Sequence, residues 1–153
     1  MNRPLARTWR MINGVWQWYI LWLMHHKFII GVSGVITDDQ GRVLLLRHRY
    51  WKEGSWGLPS GYANRGEQLQ DAIAREVNEE TGYIVEIKRL IRVVSGFKLR
   101  IEVNYSGELV GGTLRVNPDE ILEARFFSPD ALPDGLLDSH RQIIAIALPH
   151  IHE

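Results

Sequence analysis

A chain of 153 residues with 45% hydrophobic content can close one sizeable core but not two ordinary domains. Lys plus Arg equals Asp plus Glu at 18 each, so no global positive field exists to hold a nucleic-acid polymer, and none is expected as a partner. Cysteine is absent, which excludes disulfides, thiolate metal ligands and thiol nucleophiles and suits a reducing compartment, the cytoplasm by default.

Arg3, Arg7 and Arg10 precede an apolar stretch in the manner of a secretory signal. Asn13, Gly14 and Gln17 interrupt that stretch, however, and His25-His26-Lys27 stand where a small-residue cleavage site belongs. It is also shorter than the roughly 20 apolar residues of a spanning helix. Residues 8–26 read instead as an amphipathic helix. Trp9, Ile12, Trp16, Ile20 and Leu23 form one stripe, Met11, Val15, Trp18 and Trp22 a second, and Arg10, Asn13 and Gln17 a polar edge. Four of the six tryptophans fall here, so the helix needs a cover. The chain's own domain or a second copy in a homodimer comes first, with a membrane interface as the alternative. Residues 1–27 are taken as this extension and 28–153 as the domain proper.

From Phe28 the pattern turns β-branched and apolar. Phe28 to Ile36 and Val43 to Leu46 flank the polar turn Asp38-Asp39-Gln40-Gly41, a hairpin signature. A Trp- and Gly-rich loop from Tyr50 to Gly66 leads to a helical pattern over 67–81, with Leu69, Ile73 and Val77 as its buried stripe and Gly82 as its stop. Strands are predicted at 84–94, 98–110, 113–116 and 124–127. Ser128-Pro129 then looks like a helix start, and a closing helix is predicted over 139–148. Strands mixed with two core helices make an α/β or α+β layered domain.

The chemistry sits on the helix at 67–81. Glu76, Glu79 and Glu80 stand at i, i+3 and i+4, within an arc of about 100°. Like charges so placed destabilise a helix unless a cation joins them. All-oxygen ligands with no His or Cys nearby select Mg²⁺ or Mn²⁺ over zinc. Arg75, four residues before Glu79, can hold that carboxylate, and Glu67 suits the positive end of the helix. An acidic helical face taken alone is more often a solvated surface. Here it belongs to a longer pattern: Gly61, five residues, Glu67, seven residues, then Arg75-Glu76-Val77-Asn78-Glu79-Glu80-Thr81-Gly82-Tyr83.

That pattern resembles the signature of the Nudix hydrolases at every fixed position. Two departures are Tyr83, where an aliphatic is usual, and Ser60, where relatives commonly carry another glycine. The resemblance implies an α/β/α sandwich with a mixed sheet that hydrolyses a diphosphate linkage in a nucleoside diphosphate derivative or a nucleoside triphosphate. It further implies Glu76, Glu79, Glu80 and the Gly61 carbonyl as ligands of Mg²⁺ or Mn²⁺, with Glu67 and Arg75 in support. The general base of such enzymes varies between motif glutamates and one outside. Glu79, Glu80 and, beyond the motif, Glu120 are the candidates, with Glu123 as the second outside choice. Arg47 and Arg49 could clamp phosphates and Tyr50 or Trp51 stack on a base, the other reading being a solvated strand end. His48 is a weaker candidate for the base.

The proline and tyrosine that mark the ADP-ribose and dinucleoside polyphosphate branches at set distances after the motif are missing. After Gly82 the next proline is Pro118, and Tyr105 lies off the spacing. The substrate stays open between these classes. Two other functions compete: a non-catalytic nucleotide sensor, and a membrane-peripheral hydrolase of a lipid-linked diphosphate. The isomerase branch of the same fold needs a cysteine that this chain lacks.

Overall fold

The computed structural model describes Ala6 and residues 9–148; Arg3, Arg7 and residues 149–153 lie outside the described residues. The elements run α1 (Gly14–Met24), β1 (Ile29–Thr37), β2 (Val43–His48), β3 (Ser60–Tyr62), α2 (Leu69–Thr81), β4 (Tyr83–Phe97), β5 (Arg100–Gly112), β6 (Ile121–Phe127), a 3₁₀ turn at Pro129–Ala131, and α3 (Asp138–Ala147). A six-stranded mixed sheet carries the order β4-β5-β1-β2-β6, with β3 also on β1. β1 runs parallel to β5 in unbroken register from Ile29↔Arg100 to Thr37↔Glu108, and the other pairings are antiparallel.

Alternation along β2 separates two cores. Leu44 and Leu46 face one side with Val32, Ile36, Val103, Ile121 and the α2 residues Ala72, Ile73 and Val77. Val43 and Leu45 face the other with Val35, Leu58, Leu136 and the α3 residues Ile143, Ile144 and Ala147. β1 is therefore buried on both faces and reads as a nearly continuous apolar run. The result is the expected α/β/α sandwich. Gly34 lets α2 come close to β1, since a Cβ there would stand 3.0 Å from Ile73 Cγ1.

Three expectations need correction. The hairpin of β1 and β2 pairs only at Thr37↔Val43, because β3 and the segment before it wedge between the two strands. Gly34 N–H bonds Pro59 O there, and Leu46 exchanges bonds with Gly57. Residues 113–116 form no strand. They run back along α2 instead, where Arg115 N–H caps Thr81 O and Asn117 N–H caps Glu80 O. Finally, the single helix predicted over 8–26 is broken at Asn13, whose side chain accepts from Val15 N–H and caps α1. α1 also adds nothing to either core: among the described residues none of its side chains is buried, and its apolar residues surround the axis rather than forming a core-facing stripe.

Candidate active site

α2 starts after Gln68 and stops at Gly82, whose φ of 73° is the left-handed conformation that glycine adopts without strain. Its inner stripe packs on the sheet and turns the opposite edge, with Arg75, Glu76 and Glu79, towards the loop that carries Gly61. A Cβ at Gly61 would fall inside the Glu76 carboxylate, so the motif glycine is required by close approach. Tyr62 N–H lies 3.3 Å from Glu76 Oε1 across the same gap.

Arg75 organises this edge more widely than sequence spacing suggested. Its guanidinium reaches Glu67 at 2.8 Å, Glu76 at 2.9 Å, Glu79 at 3.0 Å and the Tyr62 carbonyl at 3.0 Å. Glu67 also accepts from Asn64 N–H at 2.9 Å. The Arg75 hydrogen bond, followed by that of Asn64, holds the Glu67 carboxyl down at about 2. The planar fork of Arg is what lets one side chain serve three carboxylates.

Glu80 is different in kind. It is only 3% exposed, and its Oε2 is buried without a hydrogen-bond partner. Burial first, then the neighbouring charges of Glu76 and Glu120, push its carboxyl up to about 9. Glu120, outside the motif by sequence, thus lies within electrostatic reach of Glu80. It is carried there by the chain entering β6, where Arg49 N–H bonds the Glu120 carbonyl at 2.7 Å. Glu123 is turned away, paired with Arg47 and Arg125. His48 sits near Glu120, but burial lowers its pKa.

Among the described residues no three His, Cys, Asp or Glu side chains stand as a ready cation cage, since Arg75 engages Glu67, Glu76 and Glu79. The donor set still fits a hard divalent cation: carboxylate oxygens only, converging beside the Gly61 backbone, with one buried oxygen of Glu80 unpartnered.

The residues predicted to contact substrate lie at the end of β2, where Arg49 N–H bonds the Glu120 carbonyl. Arg47, Arg49 and Trp51 line a cleft of about 290 Å³ with His48. Arg47 is committed to Glu123, and Arg49 donates to Pro118 O at 2.8 Å. Trp51 stacks on His48 and meets His140 edge-on, whereas Tyr50 is 74% exposed. A second cavity, of about 330 Å³, opens beside Ser60 on the α3 face and was not foreseen. Ser33, Ser60, Arg92, Asn104 and His140 line it. Asn104 donates to Ser33 Oγ at 2.7 Å and accepts from Arg92 at 3.0 Å. His140 Nδ1 accepts from Leu58 N–H at 2.9 Å, which leaves the ring proton on Nε2, and burial lowers its pKa to about 4. The available signal was polar Ser33 set inside the otherwise apolar β1, whereas Asn104 sits on the polar face of the alternating β5 and does not stand out by sequence.

The NUDIX domain profile matches residues 27–147. An ADP-ribose pyrophosphatase of Methanocaldococcus jannaschii is 32% identical over 75% of this chain and 70% of its own. The NAD-capped RNA hydrolase NudC of Vibrio atlanticus is 30% identical over 72% of this chain, which spans only 42% of that longer relative. A NUDIX hydrolase structure from Nitrosomonas europaea superposes with a TM-score of 0.73 over 84% of this chain and 76% of its own, at 22% identity, and shares the fold. With a complete motif on a helix of this sandwich, the chain belongs to the NUDIX family of hydrolases, enzymes that act on phosphorus-containing anhydrides.

Proposed function

We propose that the protein hydrolyses the diphosphate linkage of a nucleoside diphosphate derivative, using Mg²⁺ or Mn²⁺. The observation that carries this reading is Glu80: a buried carboxylate with an unpartnered oxygen, flanked by Glu76 and Glu120, is a costly arrangement that a divalent cation relieves. Glu76, Glu79, Glu80 and the Gly61 carbonyl are the proposed ligands, and the motif retains all of its carboxylates, which disfavours a sensor without catalysis. Bound metal supplies charge neutralisation at the phosphate oxygens and a more acidic water.

The chain's own residues do the rest. Arg75 and Glu67 position the acidic edge of α2. Glu120 accepts the proton of the attacking water, being near Glu80 yet outside the Arg75 network, with Glu79 and Glu80 as the motif alternatives. Tyr50, exposed at the end of the β2 loop, offers a ring for a base, and Trp51 anchors that loop against His48 and His140. Arg47 and Arg49 border the same cleft as the phosphate-facing candidates. The archaeal relative named for ADP-ribose supports a diphosphate derivative over a triphosphate.

The test is a panel of nucleoside triphosphates, nucleotide sugars, dinucleotides and ADP-ribose with Mg²⁺ or Mn²⁺, run on wild type and Glu79→Gln. Turnover of a diphosphate derivative that requires metal and falls by about a thousandfold in the variant is expected. No turnover on any member, or turnover indifferent to Glu79, overturns the reading.

A further inference from the structure

Apart from Gln17, α1 is apolar all round, and none of its side chains is buried among the described residues. Its sequence from Gly14 is GVWQWYILWLM, and at about 100° per residue Val15, Trp16, Trp18, Tyr19, Leu21, Trp22, Leu23 and Met24 point all round the axis. All eight are exposed: Trp16 and Trp18 are 65% and 63% accessible, and Met24 75%. Phe28 and Ile29, next in the chain, are half or more exposed as well. The helix ends are satisfied locally, by Asn13 at the start and by His25 bonding Leu21 O at the finish.

Charge is distributed just as unevenly. The first acidic residue of the chain is Asp38; before it stand Arg3, Arg7, Arg10 and Lys27 with no counter-charge. The remaining residues then carry 14 basic against 18 acidic side chains. The segment around α1 is cationic and the catalytic domain anionic, a polarity that attracts one end to a negative surface and turns the other away.

We propose that α1 and its flanking cations seat this enzyme on the surface of an anionic lipid bilayer. Eleven residues rise about 16 Å, well short of the roughly 30 Å hydrocarbon core, and no helix among the described residues is long and apolar enough to cross it. Trp and Tyr favour the headgroup level, where four tryptophans within the first 22 residues and Tyr19 would concentrate. Lys27 already lies over the Trp22 ring at 4.4 Å, a pairing that keeps the ammonium beside the apolar body while its charge reaches the phosphates. A second copy of the chain is the weaker occupant. A protein face covers one side of a helix, whereas this one is apolar all round but for Gln17, and pairing two such segments gathers positive charge.

Vesicle flotation of the full chain tests this without reference to catalysis, so its failure leaves the hydrolytic reading untouched. The protein is expected to float with vesicles of phosphatidylcholine mixed with phosphatidylglycerol, with a blue shift of tryptophan emission, and to stay behind with phosphatidylcholine alone. Arg10→Gln with Lys27→Gln should weaken partitioning about 30-fold. Replacing Trp16, Trp18 and Trp22 together by Ser should abolish it while the domain melts unchanged. Absence of flotation on the anionic vesicles overturns the proposal, as does equal flotation of the Ser variant. A dimer by light scattering that the Ser substitutions dissociate, with no lipid binding by wild type, assigns the surface to a second copy instead.

Discussion

α1 and α2 are similar in length and opposite in design. α2 places Ala72, Ile73 and Val77 against the sheet and leaves Arg75, Glu76 and Glu79 at the open edge, so its one-sided pattern identifies both what it packs on and what it presents. α1 has no such sides, and none of its side chains is buried among the described residues. One-sided apolarity is what makes a helix part of a protein core; apolarity all round, on a helix that the fold leaves bare, points to a different surrounding medium.

Ile73→Ala attacks the contrast at its strongest point. It removes a fully buried side chain beneath the motif and should cost about 3 kcal/mol, read as a lower denaturation midpoint with loss of turnover, since the carboxylates ride on the same helix. A next effect lies on the opposite face of the sheet. His140, buried neutral with its pKa held at about 4 against an ordinary 6.5, takes up its proton later than it would in the unfolded chain. Stability should therefore fall as pH drops from 6.5 towards 4, by on the order of 2 kcal/mol, and His140→Gln should flatten that part of a melting-temperature profile. Arg75→Lys keeps the charge but loses the fork that serves three carboxylates; kcat is expected to drop about tenfold, with a higher metal concentration needed for half-maximal rate. The smallest effect sharpens the comparison most. Removing residues 1–26 should leave chemical denaturation of the domain within about 0.5 kcal/mol of wild type, because α1 buries nothing on it. A larger loss would show that α1 is part of the core after all.

The motif helix was legible because its ends, its buried stripe and its carboxylates all follow local spacing, and Gly82 stops it where sequence places the stop. Tyr83, the unusual residue at the motif's end, packs on Phe126 as an apolar residue would. What spacing did not carry was non-local. Ser33 interrupts an apolar strand and Asn104 lies on the polar face of an alternating one, but only the parallel register of β1 and β5 shows that they face each other, and only α3 shows that His140 joins them at one cavity. Arg75 was expected to hold Glu79, its neighbour one turn on, and the folded loop adds Glu67, Glu76 and the Tyr62 carbonyl. Residues 113–116 carry strand-like composition, yet their backbone bonds are taken by the end of α2. The break at Asn13 was hidden by an apolar pattern that continues through it.

The parallel pairing of β1 with β5 also governs how the molecule comes together in time. Its register joins Ile29 to Arg100, so β2, β3, the loop carrying Gly61 and α2 all lie within the loop that this pairing closes. Contacts so distant in sequence must repay a loop-closure entropy before they return any stabilisation, which slows folding relative to helical bundles of the same length. The wedge of β3 against β1 sits at the centre of that closure. The approach of Gly61 to Glu76 is thus expected among the later contacts to form, making recovery of hydrolytic activity a late reporter of refolding, behind the appearance of helical signal.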